Sequence, residues 1–578
     1  MMRIGLIVLC MLFGALAHAA PIDNKDGFWS EWTEATFERA AREKKFVVLS
    51  LQAWWCRWCF IMNRETWSDP GVRKILKDSF IPVHVDQDSR PDISQRYEDF
   101  GWPATIILNA DGTEIVKLRG YYSPQYFIPV LEETVRDPTP VVYPNSGGGE
   151  RPRTLATSLS DSQRKSILNF IDNEAWNEEF GGWSRSKFVD GSTLGWALRR
   201  AKQGDAVQAS RIERTLKGML SMIDRDYGAM GQENRNLDWS DPVRTYPMFA
   251  QEAGLTAYSQ ASILFSDPAY RVAADRIYGF LKNTMAATDG GFYASLGLGE
   301  GVPGIDRKRY TRESAQAISA LLAYHDATGV AEARDLAVNT ARWILANRAR
   351  PEGGFRHAET DIAGPYLSDS AEVAKAMLAL HRSTGAREWL THARAAADFI
   401  AVNFIDQTTG GFMSAVASSS AKGLVKPTKQ REDNVTAVRM FNLLSSYTGE
   451  GRYRDIAEAG MGYLTSPAVL DAYVFLPDIL LAEDELRNEP VHVTIVGAKD
   501  DPRASDLYRS ALSYPALHKR AEWWDKREGP LASPDVDYPD FPDGPAAFAC
   551  TKTFCSYPVT KPSEIAKQLD GLNRAMKR

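Results

Sequence analysis

Cys56-Arg57-Trp58-Cys59 is the stretch of this sequence whose residue types and spacing most directly define a reaction. Two thiols with two residues between them can close into a disulfide and reopen, storing two electrons, when a thiolate attacks one sulfur of the pair. The chemistry requires one thiol that ionises easily. Residues 46–51, Phe-Val-Val-Leu-Ser-Leu, read as a buried strand just before the pair, and a helix is predicted to start at it. A thiol at a helix N-terminus faces unsatisfied backbone N–H groups and the positive end of the helix dipole, which stabilise the thiolate, and Arg57 adds charge. The spacing therefore predicts Cys56 as the attacking thiolate and Cys59 as the resolving thiol, with Trp55 and Trp58 flanking them. Zinc is a competing use for such a pair, but it needs two further ligands, and the remaining cysteines outside the N-terminal apolar run are Cys550 and Cys555. An inert structural disulfide is the third.

The surrounding pattern predicts how the pair is positioned. Between residues 28 and 137, predicted strands at 46–51, 80–85, 105–108 and 114–118 alternate with helices at 34–45 and 56–77, the latter interrupted at Asp69-Pro70. This alternation predicts a small α/β domain over residues 20–137. Residues 138–158, with Pro140, Pro144, three successive glycines and Pro152, read as a linker.

Residues 159–489 are almost wholly helical, in about twelve amphipathic segments. A double glycine followed by an aromatic recurs at Gly181-Gly182-Trp183, Gly290-Gly291-Phe292, Gly353-Gly354-Phe355 and Gly410-Gly411-Phe412, in steps of 109, 63 and 57 residues, with Tyr227-Gly228 as a degenerate copy inside the first step. Such a period predicts repeated helical hairpins, and six of them would close an all-α (α/α)6 barrel. Residues 490–578 read as a small C-terminal α/β segment, with strands at 491–497 and 546–550 and helices at 502–512 and 562–575.

At 578 residues, 44% hydrophobic and 25% charged, the chain is a multidomain globular protein; disorder and collagen-like structure are excluded. The 74 acidic and 68 basic residues leave a net charge of -6, which excludes nucleic acid as a main partner. Arg3, the apolar run 4–16 and Ala17-His18-Ala19 predict a signal peptide over residues 1–19, cleaved after Ala19, and hence a periplasmic or secreted protein with no membrane span after cleavage. Cys10 would leave with the peptide, so the five cysteines become two close pairs. In an oxidising compartment Cys550 and Cys555 are expected to form a structural disulfide, or to act as a second redox pair that relays electrons from Cys56 and Cys59.

With Ala53-Trp54-Trp55-Cys56 and Ser68-Asp69-Pro70-Gly71-Val72, the N-terminal domain resembles thioredoxin, particularly the thioredoxin-like periplasmic domain of membrane electron-conducting disulfide reductases. The chain is similar at greater length to the thioredoxin-domain proteins typified by spermatogenesis-associated protein 20. The matching residues are Cys56 and Cys59, Val85-Asp86, Arg90-Pro91-Asp92, Gly101-Trp102-Pro103, Gly290-Gly291-Phe292-Tyr293 and Cys550 to Cys555 with Pro558-Val559-Thr560. The resemblance implies a thioredoxin-like domain, a six-hairpin glycosidase-like barrel and a short α/β piece. It also implies a cis-proline at Pro103 beside the disulfide, with Trp102 and Pro103 orienting the substrate; an ordinary proline at a strand start is the alternative. Arg57 and Phe60 replace the histidines usual in that family's motif.

The expected activity is thiol–disulfide exchange with protein thiols, small thiols or a membrane or soluble redox partner, without organic cofactor or metal. The alternative is a carbohydrate-active or glycan-binding barrel with an accessory thioredoxin domain. Its candidate loop groups are Asp238, Asp241, Glu300, Asp306, His357, Glu359, Asp361, Asp369 and Asp433, and Trp176, Trp183, Trp196 and Trp239 would form a sugar platform.

Overall fold

The computed structural model describes residues 24, 27–141, 156–183, 187–298, 304–361, 363–416, 427–533, 538, 544–551 and 554–576. The expected signal peptide, Cys10, most of the linker and Glu300 lie outside them.

The N-terminal unit follows the order α1 (Glu34–Glu43), β1 (Phe46–Gln52), α2 (Arg57–Glu65), α3 (Pro70–Ser79), β2 (Phe80–Asp86), α4 (Pro91–Arg96), β3 (Ala104–Leu108), β4 (Glu114–Arg119) and α5 (Pro124–Arg136). The sheet order is β2-β1-β3-β4, with β1 parallel to β2 and the other neighbours antiparallel. Strand β1 is central and covered on both faces, which is why it reads as a continuous apolar run. The predicted break after α2 is a helix start: the Asp69 side chain accepts hydrogen bonds from Gly71 and Val72 N–H, and Pro70 occupies the first turn, where its missing N–H costs nothing.

Next come α6 (Asp161–Asn169), β5 (Lys187–Phe188), α7 (Gly191–Lys202), α8 (Ala206–Met219), β6 (Glu233–Asn234), β7 (Thr245–Pro247), α9 (Met248–Leu264) and α10 (Pro268–Phe280). They are followed by β8 (Ser295–Gly297), β9 (Gly304–Asp306), α11 (Thr311–Thr328), α12 (Ala331–Asn347), α13 (Leu367–Thr384) and α14 (Arg387–Asn403). The helical region ends with α15 (Arg431–Thr448), α16 (Gly451–Leu464), α17 (Pro467–Leu470) and α18 (Pro477–Arg487). Helices α7, α9, α11, α13, α15 and α18 pack each on the next, and α18 packs back on α7, closing an inner ring. Between them the chain returns through α8, α10, α12, α14 and α16 on the outside. The sixth outer place belongs to α6, tied to α18 by Arg164, whose guanidinium donates to the Glu483 carboxylate at 2.6 and 3.0 Å. The first helix thus clasps the last, as an (α/α)6 barrel requires.

The glycine repeat marks the turns at one end of the hairpins. Backbone bridges Trp176–Trp183, Ile223–Met230, Ala286–Phe292, Ala349–Phe355 and Ile405–Phe412 close them, and the second confirms Tyr227-Gly228 as a copy of the motif. The last three turns lie on aromatics of outer helices, Trp343 of α12, Phe399 of α14 and Tyr463 of α16, whereas Gly182 lies on Trp239 and Gly228 on the Arg276 backbone. At Gly290, with φ of 108°, a Cβ would come within 2.6 Å of the Trp343 ring, so both the left-handed backbone and the close approach demand glycine.

The C-terminal unit comprises β10 (Val491–Val496), α19 (Pro502–Leu512), β11 (Lys519–Trp524), β12 (Ala546–Cys550) and α20 (Pro562–Met576), with sheet order β11-β10-β12. Strand β11 is absent from the sequence reading because Lys519, Arg520 and Glu522 disguise it. All three are buried: Lys519 donates to the carbonyls of Ala511 and Tyr514, and Arg520 pairs with Glu522 at 2.7 Å. Among the described residues no helix is long and apolar enough to cross a membrane.

Candidate functional site

Cys56 caps the N-terminus of α2: its Sγ accepts from the Cys59 N–H at 3.1 Å. The two form a disulfide with Cα atoms 5.3 Å apart. Cys56 is 6% exposed and Cys59 1%, so the pair is less open to solvent than the sequence context predicts, although Cys56 remains the more exposed residue of the two. The screening comes from Trp55 and Trp102, which pack against Cys56 and Cys59 with their rings 6.5 Å apart. The Trp55 indole donates to Asp88 Oδ2 at 3.1 Å. On the opposite side Arg57 and Trp58 are exposed, and the Trp58 ring lies 5.7 Å from Tyr121; Phe60 is half-buried. The Trp102–Pro103 peptide is cis.

The α2-proximal face of this unit covers part of the barrel mouth. Because each inner helix is followed by an outer one that runs back, all six inner helices are parallel, and their N-termini gather at this mouth. Tyr310 and Tyr366, which precede α11 and α13, stack on and abut His357, whose Nε2 lies 2.7 Å from the Asp88 carbonyl oxygen. The Tyr366 hydroxyl donates to Asp92 at 2.9 Å, and Asp92 is held by a bidentate pair with Arg90. Gln95 in α4 donates to Asp433 in α15 at 2.7 Å, while Gln430 donates to the Gln95 carbonyl at 2.9 Å. Lys308 pairs with Asp86. The Val85-Asp86 and Arg90-Pro91-Asp92 residues that carry the family resemblance are therefore largely the surface on which two units meet.

Behind this cap the inner ring encloses a lumen of about 720 Å³. Trp55, Asp88 and Trp102 line it at one end and Ala516 to Lys519 of the C-terminal unit at the other. Its walls are charged. Lys375 pairs with Glu252 at 2.8 Å and Glu372 at 2.5 Å, Arg439 holds Glu485 at 2.8 and 2.9 Å, and Arg382 pairs with Asp326 at 3.0 Å. At the mouth, Asp190, Glu313, Glu432, Asp433 and Asp478 sit in the first turns or caps of α7, α11, α15 and α18, where helix dipoles favour anions. Burial is the larger effect, and with neighbouring carboxylates it pushes Asp433 and Asp478 up to about 6, while Arg312 and Arg431 respectively pull the other way. Burial and then Asp86, Glu313 and Asp306 hold the Asp88 carboxyl well above its ordinary range.

Of the loop groups named from sequence that lie among the described residues, only His357 and Asp433 line this lumen. Asp238 and Glu359 are exposed, Asp241 pairs with Arg235, Asp306 is buried beside Lys308, Asp361 accepts from the His357 and Ala358 N–H groups, and Asp369 is sealed behind His357. Trp183, Trp196 and Trp239 lie in the hydrophobic core with Trp176 packed against it, and none of the four lines the lumen. The residues that do, including Arg312, Glu313, Glu372, Lys375 and Arg439, lie on inner helices, where charges read as a solvated face. The detectable signal was a polar stripe, Arg312-Glu313, Gln316, Ser319 and Asp326 at helical spacing, on a helix otherwise buried all round.

Cys550 and Cys555 also form a disulfide, in the C-terminal unit. That unit sits on the other ends of the inner helices: the Tyr508 hydroxyl donates to the Arg382 carbonyl, and Lys499 donates to the Gly385 carbonyl at 2.8 Å. The 18-residue α11 and α13 run between the two ends, a length of about 27 Å. Direct exchange with Cys56 is incompatible with this arrangement, which leaves the relay expectation without a route, and the same separation keeps Cys550 and Cys555 from completing a zinc site with Cys56 and Cys59. Among the described residues no group of three or more His, Cys, Asp or Glu side chains is placed to hold a metal ion.

Residues 17–134 match the Thioredox_DsbH family model, described as a protein of unknown function, DUF255. Spermatogenesis-associated protein 20 from Homo sapiens is 25% identical over 323 residues, and its counterpart from Mus musculus is 24% identical over 326. Each alignment covers 48% of this chain and 39% of the relative, so the chain spans about two fifths of the length of the curated relatives it matches. Solved structures with a similar fold include D-mannose isomerase, 14% identical with a TM-score of 0.47 over 56% of this chain and 96% of that one. A sugar epimerase from a ruminal bacterium is 11% identical with a TM-score of 0.45 over 53% and 86%. The chain is thus similar to thioredoxin-domain proteins of the spermatogenesis-associated protein 20 type, and it joins a thioredoxin-like α/β unit to a six-hairpin helical barrel.

Proposed function

We propose that this protein is an exported thiol–disulfide oxidoreductase whose working group is the Cys56–Cys59 disulfide. The observation that carries the reading is the position of Cys56: its sulfur caps α2 directly after the central strand, on the more accessible side of the pair. In the reduced form Cys56 is the nucleophile. Its thiolate attacks a substrate disulfide, one substrate sulfur leaves as a thiolate, and Cys59 then attacks Cys56 to release the second and re-form the protein disulfide. Trp55, Trp58, Trp102 and Pro103 frame the substrate. The disulfide holds both electrons, so no organic cofactor takes part, and the partners are protein thiols or small thiols and a redox protein in the periplasm or outside the cell.

A redox titration of the Cys56/Cys59 couple, combined with an insulin reduction assay, tests the reading. The expected result is a two-electron couple and a turnover abolished by Cys56→Ser. Absence of redox activity together with tightly bound zinc would overturn it.

A further inference from the structure

We infer that the barrel lumen binds the small partner of the redox centre, and that this partner is a thiol or disulfide carrying both a carboxylate and an ammonium group, as a short peptide thiol does. The inference deepens the thiol–disulfide reading and rests on it.

The first support is a shared wall. Trp55 and Trp102 pack on the two cysteines with one part of their surface and line the lumen with another. The lumen's volume of about 720 Å³ suits a small ligand and excludes a folded protein. A way in exists: the contacts of the cap fall on β9, Lys308, the segment that holds His357 and Tyr366 before α13, and α15, whereas the α7 and α9 side of the mouth is rimmed by Phe188 and Phe249, which are 53% and 41% exposed.

The second support is charge left without a partner. Every other arginine and lysine named above on the lumen wall is paired, but the Arg312 guanidinium forms no hydrogen bond or ion pair among the described residues, although Glu313, Asp433, Glu372 and Glu432 surround it. Its neighbour Glu313 has a buried Oε2 with no hydrogen-bond partner. His518, 3% exposed at the far end, likewise offers an unpartnered Nε2 in a residue lining the lumen. Buried polar groups of this kind are costly unless satisfied. A cation and a carboxylate on adjacent residues at the mouth match a ligand with a carboxylate and an ammonium group better than a neutral one.

The exchange balances. A ligand thiolate attacks Cys56 Sγ, the Cys56–Cys59 bond breaks, and Cys59 leaves as a thiolate that takes up a proton. A second ligand thiolate then attacks the ligand sulfur of the mixed disulfide, releasing a ligand disulfide and the Cys56 thiolate. Two thiols are oxidised and one protein disulfide is reduced, or the reverse.

The test uses the full chain. Opening of the Cys56–Cys59 disulfide is followed by the fluorescence of the adjacent tryptophans with glutathione and with mercaptoethanol, in wild type, Arg312→Gln and Arg312→Lys. The glutathione-to-mercaptoethanol rate ratio should fall about tenfold in Arg312→Gln and recover in part in Arg312→Lys, the effect of one lost charge-assisted hydrogen bond. Calorimetry with S-methylglutathione, which cannot exchange, should show binding to wild type that Arg312→Gln and, separately, Glu313→Gln weaken; cellobiose should not compete. An unchanged ratio with no S-methylglutathione binding, or displacement of that ligand by cellobiose, overturns the inference while leaving the redox reading intact. If no thiol opens the disulfide, the redox reading falls and the inference with it.

Discussion

His357 Nε2 lies 2.7 Å from the Asp88 carbonyl oxygen while its Nδ1 lies 2.9 Å from Asp369 Oδ1. A carbonyl only accepts, and so does an ionised carboxylate, so both ring nitrogens carry protons and the imidazole is cationic. Burial opposes that charge, but Asp369, its hydrogen bond, Glu313 and the Asp88 carbonyl outweigh it and push His357 up to about 9. A charged histidine of the barrel thus fastens the segment that follows β2, one hydrogen bond away from Trp55.

The contact between cap and barrel should therefore weaken in alkali. A folded value near 9 against about 6.5 unfolded means that the stabilisation is complete below pH 6.5 and is lost as pH rises through 9. The difference corresponds to about 3 kcal/mol. Hydrogen exchange of residues 87–96 measured between pH 6 and 10, corrected for intrinsic rates, should show deprotection across that window. His357→Gln should be less stable and should lose the dependence; a profile identical to wild type would contradict this.

Trapping should be asymmetric. Cys59→Ser should accumulate a mixed disulfide on Cys56, because the cap position stabilises the Cys56 thiolate and Cys56 is the more accessible of the two. Cys56→Ser should accumulate none on Cys59. Mass spectrometry of partners captured by each variant decides.

Removal of the second disulfide should cost stability without touching the first. Cys550→Ser with Cys555→Ser opens a very short loop, worth about 2 kcal/mol in the chain-entropy view. Since the pair is at the other end of the barrel, the reduction potential of Cys56/Cys59 should not move. A shift in that potential, or a trapped link between Cys56 and Cys550, would show that the two ends communicate.

Gly290→Ala should destabilise the barrel by about 2 kcal/mol or more, combining left-handed strain with a clash against Trp343. Ala substitution at the exposed Gly204, where a Cβ meets nothing within 4 Å, should show the backbone term alone. Thermal melts of the two variants should separate the contributions.

The fold was legible wherever a local period wrote it out: the buried run of β1, the break at Asp69-Pro70, and glycine turns such as Gly290-Gly291, whose positive φ and contact with Trp343 permit no side chain. It was illegible at β11, where buried pairs such as Arg520 with Glu522 imitate a surface. The same disguise hid the lumen. Arg312, Glu372, Lys375 and Arg439 look solvated on a helix read by itself, and only the closing of six hairpins turns those faces inward.

The sequence by itself determined the Cys56/Cys59 spacing, its place after a strand and before a helix, the repeat that makes the barrel, and the family resemblance. These follow from residues near one another in the chain. The tertiary structure decided that the thioredoxin unit caps the barrel, that Trp55 and Trp102 are shared between disulfide and lumen, and that the two cysteine pairs stand at opposite ends. Those relations join residues hundreds of positions apart, such as Asp88 with His357 and Gln95 with Asp433. They arise because parallel inner helices collect their N-termini at one mouth, a geometry that no local pattern records.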